Sequence, residues 1–258
     1  MSTDAFRVRA GQKSAQLVRD GLRLGADPIP DLVDLAERLG FPVAFRALPE
    51  DMHGLNVQDQ REGIVTRLII VSTRGPWTLR RYTLAHELCH ALYDDAGRVI
   101  VDVVEEPVRL PEVRAESFAR HLLLPADALA RDVEQARLEG AALEVLTARL
   151  MVRWGMSKLA VLRALENDQL AGPDDTAAIR GRPVDQLMAA ASLTGRWQAL
   201  SAGQSDPCGS PWLVSRALEA YHHGWVGAHV VADLLDQDLE TTERQLLEQG
   251  WTDPEGAE

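Results

Sequence analysis

The stretch Thr83-Leu84-Ala85-His86-Glu87-Leu88-Cys89-His90 decides how the rest of the chain is read. No glycine or proline interrupts the residues from Thr78 to Tyr93, and Gly75-Pro76 stands just before them. The spacing therefore predicts a helix over 78–93, closed by Asp94-Asp95-Ala96-Gly97. On such a helix His86 and His90 lie one turn apart on one face, where both imidazoles can reach a single ion. Leu84, Leu88, Ala91 and Leu92 make the opposite, anchoring face. Glu87 is offset by one residue, which sets its carboxylate beside the water that a metal would activate, the position of a general base.

Two histidines do not complete a catalytic zinc site, which normally takes a third protein ligand and keeps one position open. The next predicted helix begins at Pro111, a residue favoured in a first helical turn, and stops before Pro125. It carries Glu112, Glu116 and His121. Glu112 and Glu116 share a face, so one can bind metal while the other accepts a hydrogen bond from a ligand histidine. His121 lies nearly opposite Glu112 and reads as a partly exposed helix histidine. Tyr93, three residues beyond His90, is a candidate oxyanion stabiliser, with a packing tyrosine at the helix end as the alternative. Cys89 points away from the metal face and reads as a buried thiol.

Outward from these helices, the pattern predicts an α+β fold, mostly helical, with a small β-sheet next to the H-E-x-x-H helix. Residues 14–24 read as a short helix and 31–39 as a second. Phe41 to Phe45 reads as a short extended segment, and the β-branched run from Ile64 to Val71 as a strand. Val99 to Val104 fits either a strand or a loop. Beyond Pro125 the periodicity is helical throughout, with 167–183 the clearest linker. The expected organisation is an N-terminal extension over 1–27, a metal-binding domain over 28–140, a helix-turn-helix-like segment over 141–170, a linker or loose helical region over 171–211, and a helical pair over 212–258.

The chain has 258 residues, 46% of them hydrophobic and 26% charged, enough to bury a substantial core. Its net charge of −12, with no basic run longer than Arg80-Arg81, argues against nucleic acid as a direct partner. Cys89 and Cys208 are too few for a disulfide framework and read as reduced thiols. No apolar run suits a signal peptide or a membrane span, so a cytoplasmic protein without a membrane partner is expected.

Leu150 to Leu165 reads as a helix-turn-helix, with Trp154-Gly155-Met156 at the turn and Ser157 capping the second helix. Ala232 to Leu247 echoes it, with Asp236 where a glycine would sit. Few basic side chains are offered, Lys158 and Arg163 in the first and Arg244 in the second, so packing helix pairs are expected rather than base readers. His222, His223 and His229 lack a carboxylate or cysteine at ligand spacing and read as surface histidines.

Two blocks resemble the ImmA/IrrE metallo-endopeptidases, which are of the gluzincin type. The first is Arg80-Arg81-Tyr82-Thr83-Leu84-Ala85-His86-Glu87-Leu88-Cys89-His90, where the family commonly has glycine in place of Cys89. The second is Glu112-Val113-Arg114-Ala115-Glu116-Ser117-Phe118-Ala119-Arg120-His121-Leu122-Leu123-Leu124-Pro125. The resemblance spans roughly 28–166. It implies Glu112 as the third ligand and Glu116, where the family usually has Asn or Asp, as the partner behind a ligand histidine. That longer side chain leaves open an exchange of the two roles. The resemblance further implies a zinc-dependent endopeptidase, with Mn2+ as an alternative ion. Its substrate would be a specific intracellular regulator such as a helix-turn-helix repressor of stress or mobile-element genes. The competing reading is a non-proteolytic regulator or antirepressor with a structural metal. Glu87 speaks against that, since a purely structural site needs no carboxylate beside the ion.

Overall fold

The computed structural model describes residues 3–61, 64–93, 110–202 and 209–251. Along the chain run α1 (Thr3–Gly21), α2 (Leu32–Arg38), β1 (Val43–Arg46), β2 (Gly54–Arg61), β3 (Ile64–Ser72), α3 (Trp77–Tyr93), α4 (Leu110–Leu123) and α5 (Ala126–Leu138). They are followed by α6 (Leu143–Trp154), α7 (Lys158–Asn167), α8 (Pro173–Arg180), α9 (Val184–Ala190), α10 (Thr194–Ala202), α11 (Pro211–His222), α12 (Ala228–Leu235) and α13 (Leu239–Glu248). The fold is α+β and mostly helical. The segments expected around Asp94–Gly97 and Val99–Val104 lie outside the described residues.

The chain divides into two compact units that do not follow sequence order. One holds α1 and α3 to α10; the other holds α2, the strands and α11 to α13. In the first unit α1 packs along α4, and α4 packs on α3. Gly11 makes the α1–α4 approach possible: a Cβ there would lie 2.3 Å from the Arg114 carbonyl oxygen. Arg19, buried at 1% exposure, closes the same seam by donating to the carbonyls of Gly25, Asp27 and Leu122. The core is mostly aliphatic, with Leu88, Leu122 and Leu129 around the Phe118 ring, and the Trp77 ring packs on Trp197 with centroids 5.4 Å apart.

The turn expected at Trp154-Gly155-Met156 is present. Gly155 ends α6 with φ 63°, and Ser157 caps α7 by accepting from the Ala160 amide. Lys158 donates to the Arg180 carbonyl at 2.7 Å and to that of Arg182, at the end of α8. Where a linker was expected over 167–183, α8 forms instead. Pro173 occupies its first turn, and Ile179 is buried at 5% exposure. Leu187 and Met188 of α9, both 0% exposed, likewise bury themselves, with α9 against α6. Prolines and glycines in this stretch start short helices rather than excluding them.

In the second unit the sheet order is β1-β3-β2, with β1 parallel and β2 antiparallel to β3. Val43 pairs with Ile69 and Gly54 with Val71, and Val43, Ile69 and Val71 are fully buried. α11 to α13 enclose a small core of Tyr221, Val231 and Leu246. Asp236 ends α12 in the left-handed region at φ 53°, and Asp238 caps α13 by accepting from the Thr241 amide at 2.8 Å. The faint second echo of the helix-turn-helix pattern is therefore real as geometry.

Candidate metal centre

α3 is held by the side it buries. Leu84, Leu88, Cys89 and Ala91 are at most 7% exposed, so the opposite turn of the helix is free to present imidazoles. Leu92 stays exposed and takes no part in that anchor. Cys89, at 0% exposure, is the buried thiol the helical angle implied.

The imidazole tips of His86 and His90 converge, Nε2 to Nε2, at 3.1 Å. α4 brings Glu112 to the same point: Oε2 lies 3.0 Å from His86 Nε2 and Oε1 lies 3.4 Å from His90 Nε2. Among the described residues these three form the one group of histidine, cysteine or carboxylate side chains gathered closely enough to hold an ion. The two hydrogen-bonded imidazoles, His86 first and then His90, hold the Glu112 carboxyl far below the ordinary carboxylate range, against the opposing effect of burial.

This donor set fits a tetrahedral divalent cation. Metal bonds of about 2.0–2.1 Å require ligand atoms about 3.3 Å apart, close to the separations found here. Two imidazole Nε2 atoms and a carboxylate oxygen each bring a lone pair to the same point, the donor set a shared cation would take. Glu87, buried at 6% exposure, stands next to His86 in sequence and outside the ligand group.

The structure brings Glu112 to the histidines and does not bring Glu116 there. One further turn along α4, Glu116 is exposed and hydrogen-bonds neither imidazole, so a place behind a ligand histidine is not what it occupies. Tyr82, one turn before His86, donates its hydroxyl to the Glu116 carbonyl at 3.2 Å. Burial, then the nearby Glu116, push the Tyr82 phenol up to about 12. Tyr93 meets the Ser14 hydroxyl on α1, and the Arg114 guanidinium covers its ring at 3.7 Å. Those are the contacts of a packing tyrosine, and an oxyanion role draws no support from them.

His121 differs from its expected partial exposure. It is 6% exposed, and its Nδ1 donates to the Ser117 carbonyl at 2.7 Å. Its Nε2 then accepts from Arg120 Nη2 at 2.8 Å, and the same Nη2 donates to Asp168 Oδ1 at 2.6 Å. Burial first, and Arg120 second, lower its pKa to about 4, so it stands neutral. This chain of groups was invisible in the sequence because it joins α4 to the far end of α7. Beside it opens a cleft of about 650 Å³, lined in part by Tyr82, Val113, Glu116, Arg120, Met156 and Arg163.

A paired-imidazole and carboxylate centre on two packed helices, with a buried glutamate beside it, defines a metallopeptidase-type site. The family model for Peptidase M78, the IrrE N-terminal-like domain, matches residues 36–166 and so takes in both site helices. The chain belongs to the ImmA/IrrE family of metallopeptidases. No curated protein matches it. None of the described helices is long and apolar enough to cross a membrane.

Proposed function

We propose that the protein is a zinc-dependent endopeptidase that cleaves a specific intracellular regulator, such as a helix-turn-helix repressor, to switch on stress or mobile-element genes. The observation that carries the catalytic half is the convergence of His86, His90 and Glu112 beside the buried Glu87. His86, His90 and Glu112 would hold the ion, which supplies Lewis acidity that acidifies water and polarises a scissile carbonyl. The Glu87 carboxylate takes a proton from the attacking water and returns it to the departing amine. α3 and α4 fix the ligands, so little reorganisation accompanies the reaction. The regulator substrate is supported by the family resemblance of the two sequence blocks.

The test is co-expression with the product of the neighbouring gene. The wild-type chain should yield two fragments of that partner, while Glu87→Gln leaves it intact. An intact partner beside the wild-type chain under every stress tried would remove the regulator assignment.

A further inference from the structure

Glu116 and Arg163 are two exposed, oppositely charged side chains lining one cleft, where both act electrostatically on Tyr82 and Arg163 also acts on Glu166. Elsewhere in this unit Arg120 pairs with Asp168, Arg153 with Asp132, Arg180 with Glu166 and Arg182 with Glu144. The same cleft is lined by the apolar side chains of Leu79, Val113 and Ala160 and by polar groups that include Tyr82, Arg120 and Asn167. Its volume of about 650 Å³ suits several side chains of a bound peptide.

The cleft also has a defined relation to the metal centre. Tyr82 stands one turn from His86 on α3, and Glu116 one turn from Glu112 on α4. Arg163 stands on α7, which supplies no ligand to the centre. One helical turn is about 5.4 Å, and an extended chain advances about 3.3 Å per residue. A peptide leaving the metal along the α3–α4 seam would therefore meet Glu116 about two residues from the cleaved bond, and Arg163 later.

We propose that this cleft is a substrate subsite that reads an ordered pair of charges: a lysine or arginine against Glu116, nearer the scissile bond, and an aspartate or glutamate against Arg163, farther from it. An apolar residue of the same peptide would rest on the partly exposed Leu79 and Val113 of the lining. This inference rests on the peptidase reading of the metal centre.

The test uses the full-length, zinc-loaded Glu87→Gln chain and fluorescein-labelled peptides, with binding followed by anisotropy. The peptides carry a lysine and a glutamate in either order around a fixed apolar residue. The chain should prefer one order by about fivefold, the scale of a solvent-accessible ion pair. Glu116→Lys combined with Arg163→Glu should reverse that preference, while Glu116→Gln alone should lessen it. A preference that the double exchange leaves unchanged, or no binding of any peptide, would overturn the subsite. Cleavage of the same peptides by the wild-type chain is scored separately. Loss of cleavage with the reversal intact would count against the peptidase reading and leave the subsite standing.

Discussion

At the scale of single residues, the proposed chemistry separates groups that would hold an ion from the group that would move a proton. Glu112→Gln should weaken zinc affinity by at least about tenfold, since losing a direct ligand exceeds the loss of an outer partner. Glu87→Gln should leave zinc stoichiometry at one per chain while abolishing hydrolysis. Metal analysis of the dialysed proteins checks both, and zinc loss from Glu87→Gln would move that residue into the ligand set. His121 makes a pH prediction. Its pKa is about 4 in the fold against an ordinary 6.5, so between those values the unfolded chain binds more protons. Stability is complete above pH 6.5 and falls as pH drops toward 4, by about 3 kcal/mol at most. Denaturant unfolding across that range should show the slope, and His121→Gln should flatten it. The convergence of His86 and His90 was legible in sequence because their relation is local to one helix. The roles of Glu112 and Glu116 were not separable that way, because i and i+4 share a face and only the packing of α4 on α3 decides which one reaches the imidazoles.

Among the elements, α1 is where the sequence reading fell furthest short. Expected as a short helix within an extension, it runs from Thr3 to Gly21 and packs along the ligand-bearing α4. The signal lay in Gly11, Ala15 and Arg19, a small, small and long series at helical spacing, which has meaning only once α4 is opposite. Gly11→Val should lower stability by about 2 kcal/mol or more, because its Cβ would press on the Arg114 backbone. Gly21→Ala, with nothing within 4 Å of the added carbon, should be neutral or slightly stabilising. Equal thermal shifts for the two variants would contradict the close α1–α4 seam. β2 was missed for a related reason: Asn56, Gln58, Asp59 and Gln60 make a polar run that pairs only because β3 offers it an edge. α3, α4, α6 and α7 were readable because each carries its own periodicity and stop signals.

For the whole molecule, the two interleaved units were beyond sequence reading. Consecutive segments such as β3 and α3 fall in different units, and each unit gathers segments far apart in sequence. The family match covers residues 36–166, yet α1 and α8 to α10 lie outside it and pack in the same unit as the metal centre. Binding to the native state alone should raise stability by about 2.7 kcal/mol when free zinc exceeds its Kd about a hundredfold. Thermal unfolding with and without zinc checks this, and His86→Ala should remove the shift.

On the proposed reading, this centre hydrolyses peptide bonds with Glu87 as the base. The most direct measurement is mass-spectrometric mapping of new amino termini in a cell lysate incubated with the zinc-loaded chain, wild type against Glu87→Gln. A small set of new termini should appear with the wild-type chain and none of them with Glu87→Gln. The same termini from both proteins, or none from either, would contradict that reading.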